Sequence, residues 1–359
     1  MKHPAIGQSI RDLDTPALIL DLDVSEKNIR HLASFFAGRT SQLRPHFKNH
    51  KCTALARRQL EAGSAVGMTC ANVTEAEALS RAGIEDILIA NQVLGKGKVR
   101  RLTELALTRK ISVAIDDLVQ AEAISLAASA AGATVGLLVE VDTGMGRCGV
   151  PPGEPALALA QQVVDLPGTE LRGLQAYEGH CTYIDDPDER AEKACQAMTR
   201  AVETRRLLEQ SGLPVECLSG CSSSTAKSSG TLEGMTEVQA GTYATMDWRY
   251  NQLVPEFDIA LAVLATVISC QSDRIVLDAG VKTVGAEFGI PRIKEAPDAE
   301  IPIFVSEEHC IARQTPGLRV GETVHIHPSH ACTTCNLHSQ IFAHRSERVV
   351  DVWEIDGRD

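Results

Sequence analysis

From residue 43 to residue 240 the sequence repeats one pattern eight times: a short apolar run, then a stretch with helical spacing. The strand-like runs are 43–46, 66–70, 86–90, 111–115, 135–141, 171–177, 215–219 and 237–240. The clearest helical stretches are 74–81, 118–130, 155–164 and 188–210. Short, nearly uninterrupted apolar strands separated by helices read as parallel strands with right-handed crossovers. Eight units within about 200 residues favour a closed (β/α)8 barrel over an open sheet. A core rich in Ala, Leu, Val and Ile suits such a barrel, and 44% of residues are hydrophobic while only 4% are aromatic. After residue 252 the pattern becomes strand-rich with no long helix. The chain of 359 residues therefore divides into an α/β barrel over 1–252 and a mostly β domain over 253–359. The opening strand at 15–22, followed by a helix over 24–36, is expected to be shared with the β domain.

Net charge narrows the partners. A value of −12 argues against nucleic acid and against an anionic membrane surface. The first residues lack an apolar export core, and no apolar run reaches spanning length. A cytoplasmic location is expected. Eleven scattered cysteines read as reduced thiols, and Cys70, Cys148, Cys217 and Cys270, in apolar runs, as small buried hydrophobes.

Four stretches carry candidate chemistry. In Leu43-Arg-Pro-His-Phe-Lys-Asn-His-Lys-Cys52, a strand continuing through residue 50 would place His46, Lys48 and His50 on one face. A helix beginning near Thr53 would leave Lys48 at a strand's carboxyl end, where α/β folds place their chemistry. A lysine held there away from water has a lowered pKa and can form a Schiff base; the alternative is a solvated lysine. The loop Asp142-Thr-Gly-Met-Gly-Arg147 follows another strand and combines a flexible backbone with one fixed cation. Ser219-Gly-Cys-Ser-Ser-Ser-Thr225, with Gln239-Ala-Gly-Thr-Tyr243 on the next strand, offers hydroxyl and N–H donors that suit a phosphate.

The fourth stretch, residues 325–338, holds four histidines and two cysteines. His330 and Cys332, two apart in extended chain, can share one zinc-like ion. Cys335 completes a C-x-x-C spacing with no second pair in view. His325 and His327 alternate along a strand and can simply pack. An ion with two protein ligands keeps open positions, which points to catalysis.

Arg-Pro-His-x-Lys48, the Asp-Thr-Gly-Met-Gly-Arg147 loop and Pro-Ser-His330-x-Cys332 together resemble the fold-type III pyridoxal-phosphate enzymes. The resemblance is to the D-threonine aldolase and D-serine dehydratase group, and more distantly to alanine racemases. It implies an N-terminal barrel, a C-terminal β domain, and a homodimer acting on small D-3-hydroxy amino acids with pyridoxal 5'-phosphate. It further implies a divalent metal: zinc, manganese or magnesium. Lys48 would carry the cofactor, Arg147 would contact its phenolic oxygen, and Tyr177 would pack on its ring. Ser222, Ser223, Gly241 and Thr242 would hold the phosphate. Gln239 stands where racemases have an arginine facing the pyridine nitrogen. His330 and Cys332 would be the metal pair.

Three departures bear on the reaction. The resemblance associates His-x-Cys with dehydratases and His-x-Asp with aldolases. Aldolases carry a base histidine six residues beyond the tyrosine, where this chain has Tyr183, with His180 three residues earlier. By contrast Asn336-Leu-His338 is aldolase-like, and Glu308-His309-Cys310 departs from the group's Glu-His-Gly. These features lean toward dehydration to a 2-oxo acid and ammonia, with retro-aldol cleavage to glycine and an aldehyde as the alternative. Racemization, or cofactor carriage without catalysis, fits less well.

Overall fold

The structure, a computed structural model, describes residues 3–358. Strand β1 (Ala17–Asp21) and helix α1 (Leu22–Phe36) open the chain. They are followed by parallel strands β2 (Gln42–Leu43), β3 (Met68–Cys70), β4 (Asp86–Gln92), β5 (Lys110–Ile115), β6 (Val135–Val141), β7 (Thr169–Ala176), β8 (Cys217–Gly220) and β9 (Glu237–Val238). These eight order as β2-β9-β8-β7-β6-β5-β4-β3. Parallel bridges at Leu43–Ala65 and His46–Thr69 join the two ends. The alternation thus closes into the expected barrel.

Local sequence sets the crossover helices. Asn72 caps α3 (Val73–Arg81) by accepting from the Glu75 N–H, and Asp117 caps α5 (Leu118–Ala131), which ends on left-handed Gly132. Asp186, followed by Pro187, starts α7 (Pro187–Gln210). Short polar side chains at the first position satisfy N–H groups that a helix leaves free. At the amino-terminal end of the barrel Arg44 binds both Glu237 oxygens at 2.6 and 2.7 Å and Asp86 at 2.7 Å. This ionic group borders a cavity of about 220 Å³.

Two compact units result. One contains Ala33–Lys48 and Gln59–Gly241. The other contains the residues up to Leu32, Asn49–Arg58 and everything from Thr242 onward. In the latter, β1 pairs antiparallel with β10 (Leu261–Cys270) and parallel with β15 (Gln340–Arg345). Strand β14 (Thr323–His327) lies on the far side of β10, and β16 (Arg348–Glu354) beyond β15. The core of this sheet includes Leu18, Leu20, Val263, Ile326 and Ala343. Helix α2 (Thr53–Glu61) is capped from the other end of the chain: Asp356 accepts from the Thr53 N–H at 2.9 Å and its hydroxyl at 2.5 Å. Cys270, the last residue of β10, is exposed, while Cys148, in the loop after β6, and Cys217, the first residue of β8, are only partly buried; strand ends and the loops beyond them reach solvent even when the apolar run is continuous.

Candidate active site

The Lys48 segment differs from the extended strand expected from its period. Regular pairing ends at Leu43, extended backbone continues to His46, whose N–H donates to Ala240 O at 3.0 Å, and Phe47–Asn49 then form one 3-10 turn. The Lys48 N–H donates to His46 Nδ1 at 3.4 Å, so the histidine helps close the turn. His46, Lys48 and His50 therefore do not share a strand face. Lys48 still stands at the carboxyl end of a barrel strand, half-buried, beside fully buried Phe47.

Lys48 Nζ lies 5.9 Å from the centre of the Tyr177 ring, and the Arg147 guanidinium carbon 5.5 Å from the same ring. The loop carrying Arg147 is folded by Asp142, which accepts from the N–H groups of Gly144 at 2.9 Å and Gly146 at 3.1 Å. Gly149 closes it onto Asp116 at 2.8 Å. A Cβ at Gly179 would come within 2.5 Å of Tyr177 Cε1 and 2.7 Å of Met145 Sδ. Glycine there lets the ring sit directly against this loop.

Sequence reasoning missed a polar row that crosses three barrel strands. Glu140, Gln175 and Ser219 are register partners across β6, β7 and β8. Glu140 is buried, accepts from Gln92 at 2.5 Å and stands 3.8 Å from Arg147. Burial raises its carboxyl pKa against the opposing pull of Gln92, Arg147 and Gln175. Gln239 donates to Ser219 at 2.9 Å and Gln175 at 3.2 Å. A lone carboxylate in the apolar strand Val-Gly-Leu-Leu-Val-Glu-Val was the available signal.

The serine loop is a run of turns leading to a 3-10 turn at Ser229–Thr231, not the regular helix that would aim a dipole at a phosphate. Ser222 and Ser223 are buried. The Ser222 N–H is already used by Thr225 Oγ1 at 3.0 Å, so Ser222 offers its hydroxyl. That hydroxyl lies 3.4 Å from Thr182 Oγ1 and 3.1 Å from Ser224 Oγ. Gly241 follows β9 in the same unit. Thr242, buried in the other, opens a 3-10 turn and receives Asn49 Nδ2 at 3.5 Å.

His180 is exposed and leans on the glycine loop: a Cβ at Gly144 would be 3.3 Å from its Cε1 and Nε2. Its charge helps lower the Asp142 pKa, after the loop's backbone N–H groups and against burial. Tyr183 is half-buried in the turn beyond.

In the other unit His330 precedes α9 (Ala331–Leu337), with Cys332 in its first turn. His330 Nδ1 meets Glu287 Oε1 at 2.5 Å, and Glu287 also accepts from the Thr333 hydroxyl. Burial opposes protonation of His330, but its hydrogen bond to Cys332, the Cys332 charge and Glu287 push its pKa up to about 9. Asn49 Nδ2, one residue after Lys48 in the chain, lies 3.5 Å from Cys332 Sγ. Asp247 accepts from the Ala331 N–H at 3.0 Å and fixes the start of α9. The other histidines have separate partners: His325 binds Glu295, and His338 binds Thr283 O. Cys335 is buried and free. Among the described residues no three His, Cys, Asp or Glu side chains form a ready metal cluster.

An amine, a guanidinium, an aromatic ring and a hydroxyl loop at the carboxyl ends of barrel strands are the donor set that pyridoxal phosphate needs. They define the class: a barrel enzyme built for that cofactor. Comparison with known proteins agrees. Residues 20–247 match the alanine racemase N-terminal domain and residues 260–344 a serine dehydratase domain. The chain is 40% identical to the D-threonine aldolase of Arthrobacter sp over 98% of its length and 94% of that protein. The crystal structure of D-threonine aldolase from Filomicrobium marinum superposes with a TM-score of 0.95 at 37% identity, covering 100% of this chain and 99% of that one. D-threo-3-hydroxyaspartate dehydratase from Delftia sp. HT23 gives 0.87 at 28%, covering 96% and 98%; a mutant of a D-threo-3-hydroxyaspartate dehydratase has been solved in a metal-free form. The chain belongs to the alanine racemase-like, fold-type III pyridoxal-phosphate enzymes of the D-threonine aldolase and D-serine dehydratase group, and is a lyase.

Proposed function

We propose that this protein is an aldolase-type lyase that splits the Cα–Cβ bond of D-3-hydroxy amino acids, releasing glycine and an aldehyde. The observation that carries this reading is the match to an aldolase at 40% identity across both domains. Pyridoxal phosphate, when bound, supplies an electrophilic carbon for the substrate amine and a sink for the electrons of the broken bond. Lys48 would hold that carbon between turnovers and would return a proton to Cα. Arg147 and Tyr177 would hold the cofactor's ring, Arg147 supplying positive charge to its oxygen and Tyr177 an aromatic face. Ser222, Ser223, Gly241 and Thr242 take the phosphate. Gln239, a neutral amide anchored on Gln175 and Ser219, would offer the pyridine nitrogen no acidic partner.

His180 removes the β-hydroxyl proton; Tyr183, in the position where the resemblance leads one to expect that base, shapes the turn. His330 and Cys332 would hold a divalent cation supplying Lewis acidity at the β-oxygen. A carboxylate on the far nitrogen of a histidine, as Glu287 is on His330, fixes the tautomer and raises ligand basicity in metal sites. The protein is proposed to work as a homodimer.

A second reading, β-elimination to a 2-oxo acid and ammonia, is favoured by the His330-x-Cys332 motif and the absence of histidine at 183. Incubation with D-threonine, D-serine and 3-hydroxy-D-aspartate separates the two. Glycine in step with an aldehyde supports cleavage; ammonia in step with a 2-oxo acid overturns it in favour of elimination.

A further inference from the structure

The residue after Tyr177 has no role in the reaction as described, yet it is among the most buried charged side chains in the barrel. Glu178 is 0% exposed. Its Oε1 accepts the Thr225 hydroxyl at 2.6 Å and the Ser229 hydroxyl at 2.7 Å, while Oε2 has no hydrogen-bond partner. A buried carboxylate with an oxygen left bare is costly, so its retention needs a reason. The serine loop supplies one.

A carboxylate only accepts hydrogen bonds. Both hydroxyl protons are therefore committed to Oε1, at lengths typical of charge-assisted O–H···O⁻ bonds. Thr225 Oγ1, its proton spent, is left as an acceptor, and it takes the Ser222 N–H at 3.0 Å. From the other side Thr182 Oγ1 donates to Ser222 Oγ at 3.4 Å, while Ser224 donates its own hydroxyl to Thr182 O at 3.0 Å. Ser222 Oγ also stands 3.2 Å from Thr225 Oγ1 and 3.1 Å from Ser224 Oγ; with the protons of both those hydroxyls spent elsewhere, the Ser222 hydroxyl donates toward them and is tied into the loop. The hydrogen bonds of the chain Ser222–Thr225–Glu178 all run inward to the carboxylate, which ties the loop's backbone and hydroxyls to one buried anchor.

We propose that Glu178 is a positioning residue for the cofactor's phosphate: through Thr225 and Ser229 it fixes the serine loop, and with it the place of Ser222 and Ser223. This rests on the reading that Ser222 belongs to the phosphate site. A carboxylate would repel a phosphate in direct contact; here the hydroxyls of Thr225 and Ser229 stand on it and spend their protons on its charge.

The test compares affinity for pyridoxal phosphate with that for pyridoxal, which lacks the phosphate, on the full-length protein stripped of cofactor and reloaded. Glu178→Ala is expected to weaken pyridoxal phosphate about tenfold, the scale of one charge-assisted hydrogen bond, and to leave pyridoxal within about twofold. Ser222→Ala should show the same selectivity. If Ser222→Ala is selective and Glu178→Ala is not, the positioning role is overturned and the phosphate site stands. If Ser222→Ala affects both ligands equally, the phosphate reading itself fails and the proposal with it. Should Glu178→Ala not fold, Thr225→Val with Ser229→Ala removes the same two donors. Selective loss in that variant supports the proposal, and unchanged selectivity overturns it.

Discussion

Lys48 and Arg147 direct their cationic ends at one aromatic ring, that of Tyr177, from 5.9 and 5.5 Å. Two like charges converge there because the ring's negative face offsets their repulsion until an anionic cofactor does so. Removing the ring with Tyr177→Ala should therefore loosen cofactor binding and lower kcat/KM by about tenfold, since such contacts contribute about 0.5–2 kcal/mol. Tyr177→Phe keeps the ring and loses only a 3.5 Å contact to Thr182, so its kcat/KM should stay within about threefold, the most a marginal hydrogen bond is worth. Equal losses in steady-state assays of the two variants would contradict a role for the ring face.

Arg44 satisfies two carboxylates at the end of the barrel away from Lys48. Arg44→Met leaves Glu237 and Asp86 without their shared cation, both at least partly buried. Breaking a buried ion pair from one side costs about 3–5 kcal/mol, reduced here because Asp86 keeps Lys110 at 3.2 Å. Urea denaturation should show a lower midpoint, while cofactor affinity at low temperature should be unchanged.

His327 makes stability depend on pH. Burial first, then the charges of Lys294 and His325, lower its pKa from 6.5 to about 4 against the pull of Glu295. Between those values the unfolded chain binds a proton that the folded chain refuses. Stability is therefore full above about pH 6.5 and lost as pH falls toward 4. His327→Gln should close the Tm gap to wild type as pH drops from 7 to 5. A gap independent of pH would contradict a neutral, half-buried imidazole at this position.

The metal pair predicts two results. Chelation should abolish turnover and added zinc or manganese restore it. Glu287→Ala should weaken metal affinity about 10–100-fold, as loss of a histidine's supporting carboxylate commonly does, measured by competition with a chromophoric chelator. Turnover indifferent to chelation would remove the metal from the reaction.

Much of this fold was legible because barrel strands are buried on both faces, so their apolar runs stand out; β6 was read to the residue. The turn at Phe47–Asn49 was not legible, since it depends on the His46 ring accepting from the Lys48 N–H. Nor was the row Glu140–Gln175–Ser219, which exists only once strand register is set. Glu287 lies 43 residues before His330, and no local pattern links them. The motif residues were visible for a different reason: Arg-Pro-His-x-Lys and His-x-Cys concentrate reactive side chains in short spans.

The central claim is that Lys48 holds the cofactor. Borohydride reduction of the loaded protein, followed by digestion and peptide mass spectrometry, tests it directly. A phosphopyridoxyl group on the peptide containing Lys48, lost together with the yellow colour in Lys48→Ala, is the predicted result. The same group on another lysine, or a Lys48→Ala protein that stays yellow, would contradict it.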